Sequence, residues 1–299
     1  MLTPVCGSHK NIVAMVDIVA KYEAGESDSQ AATPKSIYMV FEYLSYDLFG
    51  LLHTPEVKLT RHHLKSWMHQ LLTGVHYLHV NNVLHRDLKT ANVLISGNGT
   101  LKIADLGLAR KWSQSDVKAG RRLTMNVVTL WYRAPELLLG CESYGPPLDV
   151  WSVGCIMLEM YRSIAMMHGD CDEQQIDLIF DAVGTPATDS GDRNLLYAWK
   201  KLEGVIGKPG FLKRPSALRK MVLDHARVSS WITDRCVKLL EGLLTMDPDK
   251  RTTANDALDN EFFFEPGMPL KKAEELDMNF GLGDVHECDA RSRRASNNK

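Results

Sequence analysis

A change of hydrophobic pattern at Thr60 is the feature that most constrains the fold of this chain. Before it, the runs NIVAMVDIV (11–19) and SIYMVFEYL (36–44) are rich in β-branched and aromatic residues, which predicts two strands joined by a polar loop. From Thr60 onward, apolar residues recur at steps of three and four, which predicts a long amphipathic helix. Strands followed by helices predict an α+β fold.

Three later segments have the same helical spacing of apolar residues. They are residues 148–161, 171–183 and 230–244, the last of which precedes an Asp-Pro pair. The end of the chain, from Gly283, is polar and almost free of large apolar side chains, and we expect disorder there.

Composition limits the classes of partner and compartment. The chain has 299 residues, 44% of them hydrophobic, which is enough for one large domain or two modest ones. The net charge of −2 creates no general attraction for nucleic acid or for an anionic membrane, so we expect neither as a direct partner. Six cysteines without CxxC spacing and an N-terminus without an apolar signal core predict an intracellular protein.

The stretch HRDLKTANVLI (85–95) gathers side chains suited to phosphoryl transfer. Asp87 and Asn92, together with Asp105 farther along, supply oxygen ligands and a base, and Lys89 supplies a positive charge. Phosphoryl transfer requires charge neutralisation at the moving group, and oxygen ligands of this kind suit Mg²⁺. Each residue alone has a local explanation in turn formation, but together they indicate this chemistry.

The sequence resembles the eukaryotic protein kinases. The resemblance rests on HRDLKxxN at 85–92, Asp-Leu-Gly at 105–107 and Ala-Pro-Glu at 134–136, in the family's order and spacing. It implies an ATP- and Mg²⁺-dependent Ser/Thr protein kinase. Asp87 would then accept the proton of the substrate hydroxyl and Lys89 would neutralise the moving phosphoryl group, while Asn92 and Asp105 would hold the metal.

Finer motifs narrow the resemblance. LTMNVVTLWYRAPELLLG (123–140) and GTP (184–186) are similar to the cyclin-dependent kinases, whereas VFEYLSYDLFGLL (40–52) and YGPPLDVWSVGCIMLEM (144–160) are similar to their transcriptional branch. This branch implies substrates with Ser/Thr-Pro sites, a cyclin partner if the helix that grips it is present, and residence in the nucleus or cytoplasm, with the nucleus slightly favoured.

The same resemblance implies a nucleotide pocket. Phe41 would guard its back, the backbone of Glu42 and Leu44 would meet adenine, and Leu94 would form the floor. The residues expected at ATP are Phe41, Glu42, Leu44, Asp47, Leu94, Asn92 and Asp105.

It also implies a regulatory site and a specificity pocket. Thr124 would carry an activating phosphate gathered by Arg86 and Arg110. Val128 and Arg133 would shape the pocket for the residue after the target, favouring proline because proline lacks an N–H.

Three further residues would have structural roles. Asp149 would hold the backbone of the catalytic loop, and Glu136 would pair with Arg251 beneath the activation segment.

The expected architecture is the protein kinase fold with a complete helical C-lobe and an incomplete N-lobe sheet. Residues 1–44 would be a partial N-lobe with its last strands and the start of the hinge, 45–265 the C-lobe, and 266–299 a C-terminal extension with a disordered end. The N-terminal residues contain no counterpart of a glycine-rich loop, a strand lysine or its helical glutamate, so we expect these 299 residues alone to be inactive or weakly active.

Two function classes compete on the sequence. One is an active Ser/Thr kinase represented here by an N-terminally incomplete chain. The other is a catalytically silent, kinase-derived binding module that lacks the phosphate-clamping elements of the N-lobe. The intact set of Asp87, Lys89, Asn92 and Asp105 favours the first, because a silent module has no chemical need for all four. A small-molecule phosphotransferase is disfavoured by Ala-Pro-Glu and the long activation loop, which by resemblance serve peptide substrates.

Overall fold

The computed structural model describes residues 9–22, 34–113, 115, 128–141, 143–185, 214–225 and 231–287. Strands dominate the first part of this chain and helices the rest, so the α+β prediction is confirmed. The strands are β1 Met15–Tyr22, β2 Pro34–Phe41, β3 Tyr46–Asp47, β4 Val83–Leu84, β5 Val93–Ile95, β6 Leu101–Ile103 and β7 Arg110–Lys111. The α-helices are α1 Leu48–His53, α2 Arg61–Val80, α3 Pro135–Leu138, α4 Pro147–Arg162, α5 Asp172–Val183, α6 Leu218–His225, α7 Asp234–Leu243 and α8 Ala254–Leu258.

The strands form three small antiparallel sheets. β1 pairs with β2, with Ile18 opposite Met39. β5 lies between β3 and β6, and β4 pairs with β7. The β5–β6 hairpin and the β4–β7 pair bracket the stretch 85–92 and the segment after β6, so they bring Asp105 back toward the catalytic loop.

The helical core is built around α2 and α4. The Thr60 side chain accepts the N–H of His63 at the start of α2, and the ring of His63 accepts the N–H of Thr60, which together fix the point where the helix begins. Trp67 on α2 and Trp151 on α4 are fully buried. None of the helices among the described residues is long and apolar enough to cross a membrane.

The β1–β2 sheet contrasts with this core, because it exposes apolar side chains on both faces. Ile18 is 51% exposed and Met39 60% exposed, and Val19 and Tyr38 on the opposite face are also exposed. Side chains with this alternation normally pack against further structure on at least one face.

The end of the chain differs from the sequence-based expectation. Residues 283–287 are ordered, since Val285 is buried and pairs with Tyr46 of β3, donating its N–H to the Ser45 carbonyl at 3.1 Å and accepting the N–H of Asp47 at 3.2 Å. Val285 is the single large apolar residue of this polar end, and its burial against β3 offsets the entropy cost of ordering its neighbours. Residues 288–299 lie outside the described residues.

Candidate active site

The loop between β4 and β5 holds the predicted catalytic residues. It contains a single 3₁₀ turn, Thr90–Asn92, and it carries Asp87 and Lys89 before that turn. Asp87, Thr90 and Asn92 are buried, and Lys89 is half-buried. The structure therefore brings the base, the cation and the amide of this stretch into one site.

The carboxylate of Asp87 is fixed on both oxygens. Its Oδ1 accepts the N–H of Thr129 at 3.1 Å and the hydroxyl of Thr129 at 2.9 Å. Its Oδ2 lies 3.1 Å from Lys89 Nζ and 3.2 Å from Asn92 Nδ2. Four donors from three residues restrict the rotation of the carboxylate, so its orientation is set before any substrate arrives.

Asn92 and Asp105 offer the oxygen atoms that a divalent cation needs. Asn92 Nδ2 donates hydrogen bonds to the backbone oxygen and the Oδ2 of Asp87. No described residue donates a hydrogen bond to Asn92 Oδ1. Asp105 is exposed, has a left-handed backbone (φ +60°) and uses only Oδ1 in a hydrogen bond, from the N–H of Gly107 at 3.3 Å. One amide oxygen and one carboxylate fit Mg²⁺, which completes its shell with water and substrate phosphates.

Asp149 accepts hydrogen bonds from the backbone of the catalytic loop. This fully buried residue at the start of α4 accepts the N–H of His85 at 3.0 Å and that of Arg86 at 2.9 Å, and His79 Nε2 lies 3.0 Å from its Oδ2. Burial opposes ionisation, but hydrogen bonding and charge from His79, with help from His85 and the Arg86 N–H, keep the pKa of Asp149 below its usual value. The carboxylate thereby supports the left-handed backbone of Arg86 (φ +65°).

A comparison of the sequence with protein families matches residues 3–263 to the protein kinase domain. The chain belongs to the protein kinase family. The match includes every motif on which the sequence-based resemblance depends, and the α+β architecture around the loop is that of a kinase.

Curated relatives place this kinase among the cyclin-dependent type. It is 39% identical to cyclin-dependent kinase 9 of Danio rerio over 87% of the chain and 67% of that protein. It is 40% identical to cyclin-dependent kinase C-1 of Oryza sativa subsp. japonica over 87% of the chain and 48% of the relative, and 37% identical to the serine/threonine-protein kinase bur1 of Emericella nidulans over 96% of the chain and 50% of the relative. The chain thus spans about half to two thirds of the length of the relatives it matches.

Solved structures agree with this placement. The kinase superposes with a TM-score of 0.74 on a chain of the yeast RNA Pol II CTD kinase CTDK-1 complex, at 34% identity, covering 90% of this chain and 82% of that one. A chain of the CAK complex from Chaetomium thermophilum, bound to ATP-gamma-S, gives the same TM-score at 31% identity, covering 92% of this chain and 78% of that one.

The predicted adenine-binding backbone of the kinase lies after β2. The Glu42 carboxylate accepts the N–H of Ala14 and contacts Lys102 Nζ at 2.7 and 2.9 Å, which holds this segment against β6. No described residue is hydrogen-bonded to the Glu42 carbonyl or to the backbone of Leu44. Glu42 is half-buried, and Leu44 is 4% exposed. Phe41, expected at the back of the pocket, is 38% exposed at the end of β2, and Leu94 is half-buried on β5.

Asp47 differs from its predicted role at the nucleotide. It is 4% exposed, its Oδ1 caps α1 by accepting the N–H of Gly50 at 2.6 Å, and its Oδ2 accepts the N–H of Glu287 at 2.6 Å. Burial raises the pKa of Asp47, although these hydrogen bonds oppose the shift. The residue follows the hinge as expected, but the ordered end of the chain covers the carboxylate that would meet the nucleotide.

The structure places Val128 and Arg133 together. The Val128 carbonyl accepts Arg133 Nε at 3.3 Å and Nη2 at 3.0 Å, and Arg133 Nη1 bonds to Asp172 at 2.8 Å. Val128 has a left-handed backbone (φ +69°), which is unusual for a β-branched residue and indicates that its neighbours enforce it.

Glu136 and Arg251 form a bidentate pair at 2.8 and 2.9 Å, and the guanidinium is completely buried. Arg251 also donates to the carbonyls of Thr245, Pro147 and Met246. All of its donors are therefore satisfied, as a buried charge requires.

Thr124, the predicted phosphorylation site, lies outside the described residues. Arg86 bonds to the Leu108 carbonyl and the Tyr144 hydroxyl, and Arg110 is exposed on β7. Leu84 of β4 is the strand partner of Arg110, and Arg86 follows β4 by two residues.

Two contributors to the site lie outside the residues predicted from the sequence. The first is Thr129, which fixes the orientation of Asp87. The second is a buried cluster of Thr90, Tyr132 and Glu159, which connects the catalytic loop to α4 through hydrogen bonds. Tyr132 donates to Glu159 at 2.5 Å, and Thr90 Oγ1 lies 3.2 Å from the same carboxylate. The sequence signal for this cluster was Glu159, a charged residue in the otherwise apolar run of α4, where a buried charge needs a polar partner.

Proposed function

We propose that this chain is the catalytic part of an ATP-dependent protein serine/threonine kinase of the cyclin-dependent type. The observation that carries the proposal is the Asp87 carboxylate, which Thr129 orients and Lys89 flanks at 3.1 Å. A silent binding module gains nothing from a carboxylate, a lysine and a free amide oxygen arranged in this way.

In the proposed reaction, Asp87 accepts the proton of the substrate hydroxyl as that oxygen attacks the γ-phosphorus of ATP, and the bond from the γ-phosphorus to the β–γ bridging oxygen breaks, releasing ADP. Lys89 neutralises charge on the transferring group, and Thr129 keeps the carboxylate oriented during proton transfer. The backbone groups of Glu42 and Leu44, which have no hydrogen-bond partner among the described residues, would bind adenine.

Asn92 Oδ1 and the Asp105 carboxylate are the residues that would hold Mg²⁺. When bound, the ion neutralises phosphate charge. The described residues contain no group of three or more His, Cys, Asp or Glu side chains that could hold a metal by themselves, which fits an ion that arrives with the nucleotide.

Preference for proline after the target residue follows from Val128. Because Arg133 occupies the Val128 carbonyl, that carbonyl is not free to accept an N–H from the substrate. An ordinary residue would bury an unpaired N–H there, whereas proline has none to bury.

The relatives suggest a protein partner, a mode of regulation and a cellular location for this kinase. Cyclin-dependent relatives and the two kinase complexes support a cyclin partner, and similarity to a kinase of the RNA Pol II CTD supports action in the nucleus. Phosphorylation of Thr124 would raise activity by engaging Arg86 and Arg110.

The test is a peptide phosphorylation assay with matched Ser-Pro and Ser-Ala substrates, run with and without a cyclin. Asp87→Asn should abolish turnover while leaving the melting temperature and ATP binding nearly unchanged, and Thr124→Ala should lower activity. The assay without cyclin also tests the expectation that these 299 residues alone turn over slowly. Wild-type activity no greater than that of Asp87→Asn under every condition would show that these 299 residues do not catalyse the transfer, and equal rates on both peptides would refute the proline preference.

A further inference from the structure

A cavity of about 410 Å³ shares no lining residue with the candidate active site. Its walls come from four separate parts of the chain: the segment before β1, the helix α2, the β5–β6 turn and the segment after α8. A concave surface assembled from four segments has a fixed shape, which distinguishes it from a chance group of surface side chains.

Cations dominate the lining. Lys10, Lys271 and Lys272 face this cavity, and none of them forms an ion pair with another described residue. Glu274 is the one carboxylate among the described residues that line it. Lys10 and Lys272 are exposed and Lys271 is half-buried. Three ammonium groups around one concavity create a local positive potential that the net charge of −2 does not reveal.

The floor of the cavity is rigid and still has donors to offer. The Gln70 amide is fully used: Oε1 accepts from Asn11 Nδ2 and the Leu101 N–H, and Nε2 donates to Ser66 Oγ and the Gly99 carbonyl. Ser66 therefore acts as an acceptor toward Gln70, and no described residue accepts its hydroxyl hydrogen. Thr100 likewise lines the cavity with a hydroxyl that bonds to no described residue.

His69 adds a neutral donor to the wall. Its ring packs edge-on against Phe263, with ring centroids 5.2 Å apart. Burial, and secondarily the charge of Lys10, lowers the pKa of His69, so the imidazole is mostly neutral at pH 7. A neutral imidazole can donate one N–H to an anion without adding charge.

We propose that this cavity binds a phosphate group, carried either by inorganic phosphate or by a phosphorylated serine side chain of a peptide. The lysines supply charge, while Ser66, Thr100 and His69 supply directed hydrogen bonds, and a tetrahedral dianion uses both. This site is independent of the proposed kinase reaction, because none of its residues touches the nucleotide or catalytic residues.

The experiment follows the ¹⁵N-labelled imidazole of His69 by NMR, with the signal assigned through His69→Gln. Inorganic phosphate, a phosphoserine peptide and the same peptide without phosphate are titrated separately. We expect a saturable shift with the phosphate sources and none with the unmodified peptide, and the tighter of the two sources identifies the ligand. Lys10→Gln and the double variant Lys271→Gln/Lys272→Gln should each weaken binding about tenfold or more, the loss expected for a charge-assisted hydrogen bond.

Lys220→Gln, an exposed lysine on α6, is the matched control and should bind as the wild type does. Thermal melts verify folding, and because the two lysine variants lie in different segments, a folding defect in one leaves the other as the test. Absence of a shift with both phosphate sources, or equal binding by the lysine variants and Lys220→Gln, would overturn the proposal.

Discussion

At the residue scale, two residues outside the stretch 85–92 help to hold Asp87, the proposed catalytic base. Thr129 donates twice to Asp87 Oδ1, and Asp149 accepts from the two backbone N–H groups before Asp87. Misorientation of a catalytic group costs rate even when the group itself is intact.

Thr129→Val should lower kcat about tenfold with little change in the KM for ATP, because it removes one hydrogen bond to Asp87 and keeps the shape of the side chain. Thr129→Ser, which keeps the hydroxyl, should retain most of the activity. Steady-state kinetics of the cyclin-bound kinase measures both. A Val variant as active as the wild type would show that the Thr129 backbone N–H alone orients the base.

Glu159 is a second residue whose environment determines its behaviour. Burial raises its pKa to about 7, although hydrogen bonds from Tyr132 and Thr90 oppose the shift. The folded protein therefore holds a proton on Glu159 that the unfolded chain releases above its ordinary pKa of 4.5. The stabilising contribution is complete below pH 4.5 and is lost as the pH rises toward and through about 7.

We expect the free energy of unfolding of the wild type to fall relative to that of Glu159→Gln between pH 5 and 7, by at most about 1.4 kcal/mol per pH unit. Glutamine can accept from Tyr132 and donate to Thr90, so the variant should fold. Denaturant unfolding of both proteins at stepped pH gives the difference. Parallel pH profiles would mean that Glu159 is already ionised in the folded protein.

At the element scale, the Glu136–Arg251 pair joins α3 to the segment between α7 and α8. The guanidinium also packs over Trp151 of α4, with its carbon 5.0 Å from the ring centroid. One side chain therefore connects three elements beneath the substrate-binding region.

Arg251→Met should destabilise the kinase by about 3–5 kcal/mol, because it leaves Glu136 buried without its partner. Adding Glu136→Leu should recover only part of this loss, since the three carbonyls that Arg251 bonds remain unpaired.

The matched control is Arg219→Met, which breaks an exposed pair with Asp234 and should leave the free energy of unfolding nearly unchanged. Denaturant unfolding measures all of these variants. Equal costs for Arg251→Met and Arg219→Met would contradict the energetic role given to the buried pair.

At the scale of the whole molecule, a well-packed helical core adjoins a thin sheet. β1 and β2 pair only with each other among the described strands, and both faces of their sheet carry exposed apolar side chains. Such a surface promotes association through its edges and faces.

We expect the purified 299-residue chain to self-associate, and Ile18→Thr with Met39→Thr to reduce this association. Threonine keeps strand propensity while it removes apolar area from one cross-strand pair. Ile164→Thr, at a comparably exposed site away from the sheet, is the control. Sedimentation velocity across a range of concentrations reads out the result, and equal association of all three proteins would exclude the sheet as the cause.

The sequence by itself determined the main secondary-structure elements and the residue types of the stretch 85–92, because both depend on residues close together in the chain. Runs of β-branched and aromatic residues predicted β1 and β2, and apolar residues at steps of three and four predicted α2 and α4, each to within a few residues. The types and spacing of residues 85–92 predicted the phosphoryl-transfer chemistry.

Tertiary structure alone decided contacts between residues far apart in the chain. Asp47 and Glu287 are 240 residues apart, and only the ordering of the chain end against β3 reveals that this carboxylate is covered. Thr129 reaches Asp87 across 42 residues, and the cavity lined by Lys10 and Lys271 joins nearly opposite ends of the chain. Such contacts leave no periodic trace in the sequence, because they depend on which surfaces pack together rather than on local propensity.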